Sequence, residues 1–330
     1  MADIVLGLAS SHGPLLSTPP DQWHLRAKAD RENRQHWFRG KAYDFETLLR
    51  ERAPGFAGEI GLETRQERHA RCQRAMAVLA RKFKEVAPEA VVMVGNDQRE
   101  FFNDDLTPAI TVYRGQTIEN VQFLHETSPG LNIAESGNAP VEGATYPGAP
   151  ALADHILESL ADDGFDVAQA SSTPRGSSRH GIPHAHGFLY HSILADAPPP
   201  SVPIILNVHY LHNQPTSRRC LGLGRALQRA IQSFQGGSRV AMMASGGLSH
   251  FVIDEELDHT VLSAMEHRDE ETLARLPENV FKVGTAEIKN WFPVVAAMNA
   301  EGRRYHNVDY VPCYRSEAGT GNAMAFVYWE

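Results

Sequence analysis

Short apolar runs, five to seven residues long, alternate along the chain with longer stretches whose apolar positions recur every three to four residues. The first pattern reads as buried β-strand and the second as amphipathic helix. Strands are predicted at 3–9 (DIVLGLA), 90–94 (AVVMV), 109–113, 166–170, 203–207 (PIILN), 239–244 (RVAMMA) and 323–329. Helices are predicted at 63–86, 150–162, 215–234, near 255–267 and at 286–300, with Pro215 near the first turn of the third. In 63–86 the apolar or small stripe is Ala70, Met76, Leu79, Ala80 and Phe83. Buried strands alternating with helices predict an α/β fold: one large domain over 1–330, with a mainly parallel central sheet and helices on both faces. Residues 13–62 break the pattern. They are rich in Pro, Arg, Asp, Trp and Gly and are predicted as an irregular insertion, a lid or a subunit contact.

Composition narrows the partners. The chain has 330 residues, 42% hydrophobic, enough for a sizeable core. No stretch approaches the ~20 apolar residues of a membrane span, so no membrane association is expected. A net charge of −9 without a basic block argues against nucleic acid. The N-terminus has no basic stretch before its short apolar run, so no secretory leader is expected. Three cysteines, Cys72, Cys220 and Cys313, without a CxxC pair point to a reducing, cytoplasmic setting. The unusual count is sixteen histidines, the commonest metal ligands, and position must decide what they do.

Position is informative at the strand ends. The predicted strands lead into Ser10-Ser11-His12-Gly13-Pro14, Gly95-Asn96-Asp97-Gln98, a loop ending in His184-Ala185-His186-Gly187, Asn207 with His209, and Ser245-Gly246-Gly247-Leu248-Ser249-His250. In a mainly parallel sheet ligands bind at the carboxyl ends of strands, so a site is expected at that edge. Each residue has a plainer reading as well. His12 can cap a turn carbonyl, Asp97 can cap a helix, and Ser245-Gly246-Gly247 can be a tight turn or an anion nest. No Walker lysine follows, which disfavours nucleotide binding. Glu287 opens an apolar helical segment. There a carboxylate either complements the helix dipole or serves as a ligand delivered to the His12 edge. One carboxylate with two neutral ligands on one face is the arrangement non-haem Fe(II) uses with O2.

Together these residues resemble the class III extradiol ring-cleavage dioxygenases, the group of the protocatechuate 4,5-dioxygenase catalytic subunit and the gallate and 3-O-methylgallate dioxygenases. The resemblance spans residues 3–329. It rests on Ser11-His12-Gly13-Pro14, Asn96-Asp97-Gln98 with Phe101-Phe102, His186-Gly187, 203–207, Pro215 with Arg219-Cys220, 245–250 and Ala286-Glu287. The opening, through FRGKAYDF, looks most like the methylgallate branch. The resemblance implies Fe(2+) as cofactor, a catechol- or gallate-type aromatic acid and O2 as substrates, and cleavage of the ring beside its hydroxyls. It implies His12 and Glu287 as metal ligands, His250 as the acid–base residue and His186 beside the substrate. His184, Asn207 and His209 are the further substrate-side candidates.

One position departs from the family. Its second histidine ligand ends an Asn-Asp-His turn, and this chain reads Asn96-Asp97-Gln98. Three outcomes follow: Gln98 ligates through its amide oxygen, a weaker donor than imidazole; another histidine such as His184 replaces it; or the site holds no iron. Two rival functions stay open, a metal-free binding protein on the same fold and a hydrolase using metal-activated water. Arg218 and Arg219 are candidates for a substrate carboxylate by residue type alone, the plainer reading being a solvated helix start. A homodimer is expected, closed symmetric dimers being the commonest oligomers, with a separate small subunit as a further option and no fused helical domain expected.

Overall fold

The computed structural model describes residues 1–124 and 129–330. The strands are β1 (Asp3–Ser11), β2 (His36–Phe38), β3 (Lys41–Tyr43), β4 (Ala90–Asn96), β5 (Ile110–Tyr113), β6 (Thr117–Asn120), β7 (Ala144–Pro147), β8 (Ala168–Ala170), β9 (Ser201–Leu206), β10 (Arg239–Gly246), β11 (His250–Val252), β12 (Tyr305–Tyr314) and β13 (Thr320–Trp329). Nine of them form one sheet in the order β11-β13-β1-β10-β4-β9-β5-β8, with β12 on β13. The centre of the sheet, β1, β10, β4 and β9, is parallel. β13 runs antiparallel to β1, β11 and β12, and β5 runs antiparallel to β9 before pairing in parallel with β8.

The period-two alternation of side chains explains the continuous apolar runs. Along β4, Val92 and Val94 enter one core while Val91 and Met93 enter the other. The first core is closed by the helices Pro150–Asp162, Ser217–Ser233 and Phe292–Ala300, the second by the helix Leu62–Val86. Helices Ser217–Ser233 and Phe292–Ala300 approach so closely that a Cβ on Gly224 would lie 2.1 Å from the Pro293 carbonyl oxygen. Among the described residues no helix is long and apolar enough to cross a membrane.

Four expectations are corrected. The strand at 166–170 is only Ala168–Ala170. The helix predicted from Pro215 starts at Ser217, because the Thr216 side chain accepts a hydrogen bond from the Arg219 amide and caps it. The helix predicted at 286–300 is a 3-10 segment, Val283–Asn290, followed by Phe292–Ala300, which carries Pro293 in its first turn. Residues 13–62 are not irregular. They contain the helices Trp23–Glu32 and Phe45–Glu51 and the hairpin β2–β3. Trp23 is buried and donates to the Thr18 carbonyl at 3.0 Å. Asp30 is buried in a bidentate pair with Arg315, at 2.6 and 2.9 Å. Arg39 grips Asp254 in the same way at 2.7 and 2.8 Å. These pairs fasten the insertion to the end of the sheet that carries the strand termini.

The turn after β10 is held by a buried carboxylate. Asp258 accepts from the Ser249 amide at 2.7 Å, the Ser249 hydroxyl at 2.6 Å and the Tyr310 hydroxyl at 2.8 Å. Burial pushes its carboxyl up to about 7. The folded chain therefore keeps this proton where the unfolded chain, with an Asp near ~4, has lost it. Its contribution to stability is full below ~4 and is lost as pH rises through about 7. Asp258→Asn should flatten that part of the pH–stability profile, read as urea midpoints between pH ~4 and ~8; an unchanged slope would show that Asp258 titrates normally.

Candidate metal centre

Because β1, β10, β4 and β9 are parallel and in register, their carboxyl ends lie along one edge. β1 ends at Ser11 and delivers His12. β10 ends at Gly246 and turns into His250. After β4, the Asp97 carboxylate accepts from the amides of Arg99, Glu100, Phe101 and Phe102 at 2.8–3.2 Å, a tight turn that presents Gln98 and Glu100. Glu287 comes from the 3-10 segment, which lies against β10 closely enough that a Cβ on Gly246 would meet the Glu287 carbonyl at 2.5 Å. The short helix His184–Phe188 packs over β4, where Gly95 leaves room for it.

Three buried or half-buried groups converge there. The nearest nitrogens of His12 and His184, both Nε2, are 3.1 Å apart, and His12 Nε2 is 3.2 Å from Glu287 Oε2. Ligand atoms of all three lie within 4.8 Å of one another. Donors held at about 2.1 Å from an ion and roughly at right angles sit about 3 Å apart, so the two shorter separations suit a shared ion. The other ring nitrogens are occupied. His12 Nδ1 lies 2.9 Å from the Ser245 hydroxyl and His184 Nδ1 lies 2.6 Å from Glu100 Oε2, which aims both Nε2 atoms at the centre.

Glu287 shows the same division of labour. Its Oε1 accepts from the side-chain amides of Gln98, at 2.8 Å, and Asn96, at 3.3 Å. Asn96 is in turn held by Asn290, which also donates to the Ser245 carbonyl. Its Oε2 is buried without a hydrogen-bond partner, the acceptor a cation would satisfy. Burial alone would raise the Glu287 carboxyl, but the neighbouring His12 and His250 rings hold it well below the usual carboxylate range. Burial depresses His12 despite Glu287, whereas at His184 the Glu100 carboxylate outweighs burial and raises the ring. Glu100 is also buried, and His184 and Arg179 outweigh that burial and keep it ionised.

The expected residues divide accordingly. His12, Gln98, His184, His250 and Glu287 line one cavity of about 350 Å3. The Gln98 amide nitrogen donates to Glu287 Oε1 at 2.8 Å, and the second imidazole grouped with His12 and Glu287 is His184. His186 does not line the cavity. It is fully buried, its Nε2–H donates to the Ile204 carbonyl at 3.1 Å, and burial pushes the ring down to about 4. Asn207 shapes its own loop, bonded to Tyr210 and Asn213. His209 lies outside the cavity lining, and burial depresses it to about 4 with a small opposing pull from Glu287. Arg218 pairs with Glu271 and Arg219 stacks over Phe165, both away from the cavity. Sequence reasoning assigned no role to Ser245 or Glu100, which meet His12 and His184. The serine was visible in its Ser-Gly-Gly turn; no local signal marked Glu100.

A His-His-carboxylate group at the carboxyl edge of a parallel sheet is a candidate metal site. The chain belongs to the family described as the catalytic LigB subunit of aromatic ring-opening dioxygenase, which matches residues 54–327. It is similar to a gallate dioxygenase of Pseudomonas putida, 32% identical over 196 residues, covering 54% of this chain and 54% of the relative. It is also similar to a 2,3-dihydroxyphenylpropionate/2,3-dihydroxicinnamic acid 1,2-dioxygenase of Comamonas testosteroni, 28% identical over 177 residues, covering 54% of this chain and 48% of the relative. The chain thus spans about half the length of the curated relatives it matches.

Glu100→Gln keeps the size of the side chain but removes the charge behind His184. Metal affinity should fall about 10–100-fold, measured by competition with a chelator, and unchanged affinity would detach Glu100 from the centre.

Proposed function

We propose that this protein is an Fe(II)-dependent extradiol dioxygenase that opens the ring of a catechol- or gallate-type aromatic acid. The observation that carries the reading is the convergence of Glu287 Oε2 with the Nε2 atoms of His12 and His184, two imidazoles and one carboxylate lining one cavity. That donor set suits Fe(II) with positions left for substrate and O2. Bound Fe(II) would act as a Lewis acid toward the vicinal hydroxyls and as the electron path between ring and O2. The names of the two curated relatives, both dioxygenases, support the same chemistry.

The chain's own residues handle the protons. His250 Nδ1–H donates to the Leu248 carbonyl at 2.7 Å, so in the neutral ring Nε2 carries the lone pair. That Nε2 lies 3.4 Å from Glu287 Oε2 and borders the cavity. It is suited to take a proton from a substrate hydroxyl and to return it later in the reaction. The ring has little freedom: a Cβ on Gly284 would lie 2.1 Å from His250 Cδ2, and one on Gly247 2.5 Å from Cε1. Gln98 and Asn96 keep Glu287 from rotating, and Glu100 keeps His184 aimed at the centre.

Protein reconstituted anaerobically with Fe(II) should consume O2 with gallate, 3-O-methylgallate or protocatechuate and give a ring-opened acid. Hydrolysis without O2 uptake would contradict the proposal. His250→Ala should retain iron and substrate binding while turnover falls roughly 10²–10⁴-fold; full turnover in that variant would remove His250 from proton transfer.

A further inference from the structure

Arg26 is the unexplained group of the cavity. It sits on the helix Trp23–Glu32, within the insertion, and lines the same cavity as His12, His184 and Glu287. The nearby charges are matched in pairs. Arg179 bridges Glu100 and Glu135. Arg99 pairs with Asp104 at 2.6 Å and lies over Tyr210. Asp30, one helical turn after Arg26, has both oxygens taken by Arg315 and Thr320. Arg26 has no carboxylate partner among the described residues, and its Nε is buried without a hydrogen-bond acceptor. Burial, then the neighbouring Arg315, lowers its guanidinium to about 10, against the pull of Asp30, so it stays charged at neutral pH.

A largely desolvated, unpaired guanidinium is costly unless an anion completes it. The anion it suits best is planar and bidentate. We infer that Arg26 binds the carboxylate of the aromatic acid and so sets the preference of this site for acids over the corresponding neutral diols and triols. The inference rests on the proposed ring-opening function, because that reading supplies a ring held at the centre by its hydroxyls. It assigns the insertion a role beyond covering the sheet edge: the helix Trp23–Glu32 carries the specificity-determining cation. Arg218 and Arg219 are thereby replaced as the carboxylate-binding candidates.

The test compares gallate with pyrogallol, the same triol without the carboxylate, by anaerobic equilibrium binding to the Fe(II)-loaded protein. The wild-type protein should prefer gallate by about tenfold or more. Arg26→Met should remove that preference by weakening gallate alone, and Arg26→Lys should restore part of it. Melting curves of both variants report whether the helix stays folded. The inference is overturned if Arg26→Met keeps the wild-type preference, if it weakens both compounds equally, or if the wild-type protein does not discriminate. Failure of the wild-type protein to bind either compound would instead overturn the ring-opening reading, and the inference with it.

Discussion

The structure turns on one buried carboxylate. Glu287 is 1% exposed, ionised and shielded from solvent, a state that is costly unless each lone pair is matched. One oxygen is matched by Gln98 and Asn96, and the other is left for a cation. Its neighbours follow from that constraint. The parallel strands must end in register so that His12 and His250 reach it, and Gly246 must lack a side chain so that the 3-10 segment can approach β10.

The supporting shell extends well beyond the three donor groups. Asn290 orients Asn96, Ser245 orients His12, and Glu100 is fixed between His184 and Arg179, which continues to Glu135. A ligand constellation is as precise as the groups that hold it, and here Ser245 sits on a strand end, Glu100 in the turn after β4 and Asn290 on the 3-10 segment. The Gln98 departure fits this arrangement. The Gln98 amide donates to Glu287 Oε1, and His184 Nε2 lies 3.1 Å from His12 Nε2.

Much of this was legible in the chain. Continuous apolar runs announced strands buried on both faces, and the polar turns after them announced the edge where His12, Gln98 and His250 meet. What escaped depends on phase and on distant contacts. His184 and His186 are two residues apart on one short helix, so their side chains point to nearly opposite faces, and only the orientation of that helix decides which one enters the cavity. The helix Trp23–Glu32 buries only Trp23, Ala27 and Asp30, a narrow stripe whose third member is acidic and is buried because Arg315 meets it from β13's neighbouring turn. β12 went unread because it is largely half-buried, with polar residues between its apolar ones, and takes its structure from pairing with β13.

The most direct measurement is an iron-edge anomalous difference map from crystals prepared anaerobically with Fe(II). The account predicts a single peak in the cavity within about 2.3 Å of His12 Nε2, His184 Nε2 and Glu287 Oε2, with Gln98 bonded to the carboxylate and not to the ion. A peak bound by the Gln98 side chain with His184 turned away, or no iron beside Glu287, would contradict it.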